Sequence, residues 1–122
     1  MGIKILAVDD EPDVLKVLGA RLKQNDFEVI TASDGKMAIT QAELHRPDLI
    51  ILDIMMPGMD GTEAAQRLKE NPRTKHIPII FLSAIAAGDS EGEATAGGNI
   101  ILAKPFEIDT LLVKIRQATA RY

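Results

Sequence analysis

The strongest constraint on this chain is an alternation of two periods. Short apolar, β-rich runs are each followed by a longer stretch with apolar residues at three- and four-residue spacing. Ile3-Lys4-Ile5-Leu6-Ala7-Val8 stops at Asp9-Asp10. Glu11 and Pro12 read as a helix start, because proline tolerates the first turn, and Val14, Leu15, Leu18 and Leu22 then recur at helical spacing. Glu28 to Ala32 reads as a second strand, punctuated by Ser33-Asp34-Gly35 before a helix through Ala38, Ile39 and Ala42 that Pro47 ends. Asp48-Leu49-Ile50-Ile51-Leu52 is nearly continuously apolar, as in a strand covered on both faces, and closes on Asp53. After the loop Met56-Pro57-Gly58-Met59-Asp60-Gly61, a helix through Ala64, Ala65 and Leu68 runs to Asn71-Pro72. Ile77 to Leu82 closes on Ser83, Ile100 to Ala103 closes on Lys104-Pro105, and a last helix carries Leu111, Leu112, Ile115 and Ala118. Five strands alternating with about five helices predict an α/β fold, a doubly wound parallel sheet with helices on both faces.

Length fits one domain over residues 1–122 of 122. Between Ser83 and Ile100 the chain carries Gly88, Gly92, Gly97 and Gly98. An interior glycine costs a helix about 1 kcal/mol relative to alanine, so any helix there is expected to be short or frayed. Its amides are expected to exchange faster than those of the sheet.

Composition narrows the function. The net charge is −4 and aromatics make up 3% with no Trp, so neither phosphate counterion release nor base stacking favours direct nucleic-acid binding. With 0 cysteines there is no thiolate zinc site, disulfide or thiol nucleophile, as fits a reducing, cytoplasmic compartment. No apolar run approaches the roughly 20 residues that span a bilayer, and the N-terminus lacks a signal-peptide pattern.

In open parallel sheets the functional crevice lies beyond the carboxyl ends of the strands. Those ends carry Asp9 and Asp10, Asp53, Ser83 and Lys104, whereas the second strand ends without such a group. Adjacent strands lie about 4.8 Å apart, so side-by-side first and third strands would crowd the three carboxylates. Like charges at about 4 Å repel by roughly 4 kcal/mol at an effective dielectric of 20. Either carboxyl pKa values rise or a hard cation such as Mg²⁺ sits among the oxygens. The plainer role for Asp9 and Asp10 is capping the helix that follows; Asp53 at another strand end favours the cation. Lys104 offers a point charge to an anion, and Ser83 a hydroxyl beside the small Ala84. A carboxylate, a metal, a lysine and a hydroxyl around a small anion fit an Asp53 that accepts a phosphoryl group as a mixed anhydride.

Four segments carry a resemblance: Val8-Asp9-Asp10-Glu11-Pro12, Leu52-Asp53-Ile54-Met55-Met56-Pro57-Gly58-Met59-Asp60-Gly61, Phe81-Leu82-Ser83-Ala84 and Lys104-Pro105-Phe106. In order and spacing the chain resembles the response regulator receiver (CheY-like) domain of two-component signalling. The resemblance implies strand order 2-1-3-4-5. It implies Asp53 as phosphoacceptor, and Mg²⁺ on Asp10, Asp53 and the Met55 backbone carbonyl with Asp9 helping through water. Lys104 would pair with the phosphoryl oxygens and Ser83 would swing towards them. It also implies a cis Lys104–Pro105 bond and a histidine kinase or phosphotransfer domain as donor. Catalysis would be limited to self-phosphorylation from that donor and slow self-dephosphorylation, with an unspecified downstream protein target. Met55 and Ile85 would flank the mouth and slow attack by water. Three features depart from the family pattern. Ile101 stands where the switch residue is usually aromatic, Ala96-Gly97-Gly98-Asn99-Ile100 lacks the usual acidic pair, and the fourth helix is glycine-rich. The expectation is an intact phosphorylation site with an unusual readout. The alternative is a constitutive docking module not controlled by phosphate. An Asp-nucleophile phosphatase lacks a visible cap domain or second acid, and nucleotide binding lacks a glycine-rich loop after the first strand.

Overall fold

The computed structural model describes residues 2–83, 95–96, 99–104 and 106–120. The elements run β1 (Lys4–Val8), α1 (Pro12–Gln24), β2 (Glu28–Ala32), α2 (Gly35–His45), β3 (Leu49–Asp53), α3 (Gly61–Glu70), β4 (Ile79–Ser83), β5 (Thr95–Ala96), β6 (Asn99–Ala103) and α4 (Ile108–Thr119).

The sheet order is β2-β1-β3-β4-β6-β5. The five long strands are all parallel, so their order in the chain is 2-1-3-4-5, as the resemblance implies. Register matters for the site. Val8 lies beside Leu52, so the residues that follow, Asp9 and Asp53, come side by side at the carboxyl ends of β1 and β3. Asp53 lies beside Leu82, and Ser83 beside Ala103.

Strand alternation sends successive side chains to opposite faces. Leu6, Val8, Ile50, Leu52, Ile79 and Phe81 face α2 and α3, against Ala38, Ala42, Ala64, Ala65 and Leu68. Ile5, Ala7, Leu49, Ile51, Ile80, Leu82 and Leu102 face α1 and α4, against Leu18, Leu22, Leu111, Leu112 and Ile115. Fully burying one such aliphatic side chain contributes about 1.5–3 kcal/mol. The two faces therefore form one aliphatic core split by the sheet.

One element has no counterpart in the sequence reading: Thr95–Ala96 is a strand, antiparallel to β6, pairing Thr95 with Ile100 and Ala96 with Asn99. Four helices lie within, and the expected glycine-rich helix outside, the described residues. Residues 84–94, 97–98 and Pro105 lie outside them. So do the expectations for Ala84, Ile85, the exchange of the glycine-rich stretch and the cis bond before Pro105.

Candidate functional site

The first strand delivers Asp9 already constrained. Asp9 is fully buried, and its backbone N–H donates to the Ala32 carbonyl at 3.2 Å. Its Oδ1 accepts from the Glu11 N–H at 3.0 Å and its Oδ2 from Lys104 Nζ at 2.9 Å. One carboxylate thus both shapes the turn into α1 and holds the lysine. Asp10 is exposed beside it.

Asp53 ends β3 and is 3% exposed. Its Oδ1 accepts from the Met55 N–H at 3.4 Å and lies 3.5 Å from Lys104 Nζ. The loop that follows is held close. Ile54 N–H donates to Leu82 O at 2.9 Å, and Gly61 N–H donates to Ile54 O at 2.9 Å. Oxygens of Asp9, Asp10 and Asp53 all lie within 4.8 Å of one another. Three carboxylates form an all-oxygen donor set of the kind Mg²⁺ takes, and two of them are buried. The residues fit that cation.

Burial and the neighbouring Asp9 charge raise the Asp53 pKa above its ordinary 3.8, although Lys104 and the Met55 N–H pull the other way. Burial alone would lower Lys104. The bond to Asp9 and the charges of Asp9 and Asp53 overcome it and hold the ammonium above its ordinary 10.5. The chain positions this lysine by a backbone bond, Lys104 N–H to Ser83 O at 3.0 Å, at the carboxyl end of β6.

The structure thus gathers Asp9, Asp10, Asp53 and Lys104 at one rim. Ser83 is buried at the end of β4, on the same edge. Met55 adjoins Asp53 through its N–H, while the residue is 53% exposed. Ile101 does not join this rim. It lies three residues upstream, half-buried against the α2 and α3 side of the core. One residue was missed as a participant. Glu11, read as a helix start and as part of the segment Val8-Asp9-Asp10-Glu11-Pro12 but given no role at the site, brings its Oε1 to 3.9 Å from Lys104 Nζ. Its place directly after the Asp9-Asp10 pair was the available signal.

The pattern of the response regulator receiver domain matches residues 5–116. This chain belongs to that family. It is 38% identical over 120 residues to the response regulator PleD of Caulobacter vibrioides, a match covering 98% of this chain and 26% of PleD. Its fold superimposes on the chemotaxis protein CheY4 of Vibrio cholerae with a TM-score of 0.85 at 33% identity, covering 97% of this chain and 99% of that one. The receiver domain of sensor histidine kinase PA1611 from Pseudomonas aeruginosa, with magnesium coordinated in its active-site cleft, superimposes at 0.86 with 29% identity, covering 99% and 100% of the two chains. The chain spans 26% of PleD and 52% of another curated relative, the response regulator Rre1 of Synechocystis. No helix among the described residues is long and apolar enough to cross a membrane.

Proposed function

We propose that this receiver domain accepts a phosphoryl group on Asp53 from a histidine kinase or phosphotransfer domain and relays that state to a protein partner. The observation that carries the reading is the convergence of Asp9, Asp10 and Asp53 opposite the Lys104 ammonium. Residues 1–122 act as a single receiver unit in this reading, and the compartment is the cytoplasm.

An Asp53 carboxylate oxygen attacks the phosphorus of the donor's phosphohistidine. The P–N bond breaks, the electron pair leaves on the imidazole, and an acyl phosphate remains on Asp53. Lys104, 3.5 Å from Asp53, neutralises charge on the transferring oxygens. Asp9, Asp10, Asp53 and the Met55 carbonyl are the proposed holders of Mg²⁺. Bound there, the ion offsets the charge of the carboxylates and of the phosphoryl group. Asp9 keeps Lys104 in place from the other side. Ser83, buried on the same edge, is the proposed hydroxyl partner of the phosphoryl group, and Ile101 the proposed aliphatic switch position. The exposed Met55 side chain stands at the mouth, where it hinders attack by water. The complete rim does not favour the alternative of a phosphate-independent docking module.

Mass spectrometry after incubation with acetyl phosphate and Mg²⁺ is expected to show one added phosphoryl group, lost in Asp53→Asn. No mass gain, even with a competent histidine kinase, would reject the proposal.

A further inference from the structure

Glu11 occupies the N-cap of α1, a position where a short side-chain oxygen commonly accepts from the first turn's N–H groups. It makes no such bond. Its own N–H is bound by Asp9, and its carboxylate reaches back over the site to 3.9 Å from Lys104 Nζ. Among the described residues the ammonium therefore has three anionic neighbours: Asp9 at 2.9 Å, Asp53 at 3.5 Å and Glu11 at 3.9 Å. Asp9 and Asp53 belong to the carboxylate group that fits a divalent cation, and Glu11 does not. A cation entering among the first two would meet the ammonium as a competitor for those carboxylates. Glu11 is the neighbour on the solvent side, 65% exposed, whereas the Asp9 and Asp53 side chains are 0% and 4% exposed.

We propose that Glu11 is a positioning residue: it draws the Lys104 ammonium outwards and so frees oxygens of Asp9 and Asp53 for a divalent cation. This inference rests on the metal reading above. It distinguishes Glu11 from a charge that merely attracts cations, because its effect runs through Lys104. The step is a shift of one ammonium between carboxylates and makes or breaks no covalent bond.

Calorimetric titration of MgCl₂ into the full chain tests it. Glu11→Gln is expected to raise the Mg²⁺ dissociation constant about fivefold, and by less than about twofold in a Lys104→Gln background, the non-additivity of two groups that act through one another. Asp13→Asn provides a control that does not depend on altering Lys104. It removes an exposed charge from the first turn of the same helix, and Asp13 forms no ion pair with Lys104 among the described residues. It is expected to change the constant by less than about twofold, as a screened exposed charge does. Equal fold-changes in the two Lys104 backgrounds, an Asp13→Asn effect as large as that of Glu11→Gln, or no effect of Glu11→Gln would each overturn the proposal. A wild-type chain that takes up no Mg²⁺ would instead overturn the metal reading itself.

Discussion

Gly61 shows how closely single residues constrain this site. It is the first residue of α3, and a Cβ there would collide with the Asp53 carbonyl oxygen and come within 2.8 Å of Ile54 Cα. Both are main-chain atoms, which cannot swing aside as a flexible side chain can. Gly61→Ala is expected to cost about 1–3 kcal/mol in urea denaturation, the range for overpacking. It is also expected to slow the proposed phosphorylation of Asp53, because the displaced backbone is the one that carries that residue. A substitution that left both stability and rate unchanged would show that the contact relaxes elsewhere. The glycine was visible in the sequence as part of the loop after the third strand; that it touches Asp53 was not. Such an approach depends on the angle at which α3 leaves the loop.

At the scale of elements, α3 begins on a working cap. Asp60 Oδ1 accepts from the Glu63 N–H at 2.9 Å and the Thr62 hydroxyl at 2.7 Å, and these bonds hold its pKa below the ordinary 3.8. Asp60→Ala is expected to cost about 1 kcal/mol at neutral pH. A carboxyl whose pKa is lowered on folding adds stability above its unfolded value, and that part is lost as pH falls through the folded one. The gap between wild type and Asp60→Ala in denaturation midpoints is therefore expected to narrow below pH 3.8. A gap that widened in acid would contradict the role of the charge. The strands and helices with a clear period were legible. β3 reads as a continuous apolar run because α1 and α4 cover one face and α2 and α3 the other. β5 was not legible. A two-residue strand has no period, and its ladder with β6 exists only once the chain has turned back.

Across the whole molecule, stability and the proposed metal binding are opposed at the rim. The folded-state pKa of Asp53 is raised, so its protonated form is favoured on folding. The resulting stability is fully present below the unfolded value of 3.8 and is lost as pH rises through the folded one. At neutral pH without metal, the ionised carboxylate costs stability. Asp53→Asn is therefore expected to melt higher than wild type in chelator. Mg²⁺ is expected to raise the wild-type melting temperature, since a ligand at 100 times its dissociation constant adds about 2.7 kcal/mol, and to leave Asp53→Asn nearly unchanged. Scanning calorimetry of both proteins with and without Mg²⁺ reads this, and equal shifts in the two would refute it. By itself the sequence determined the fold class, the strand ends and the identities of Asp9, Asp10, Asp53, Ser83 and Lys104 as candidates, because periodicity and polar punctuation are local properties of a chain. Only the tertiary structure decided that Asp9 is the 2.9 Å partner of Lys104, that Glu11 faces the same ammonium, and that Ile101 sits apart in the core. Asp9 and Lys104 stand 95 residues apart, and their distance is set by strand register and by the path of the chain out of β6.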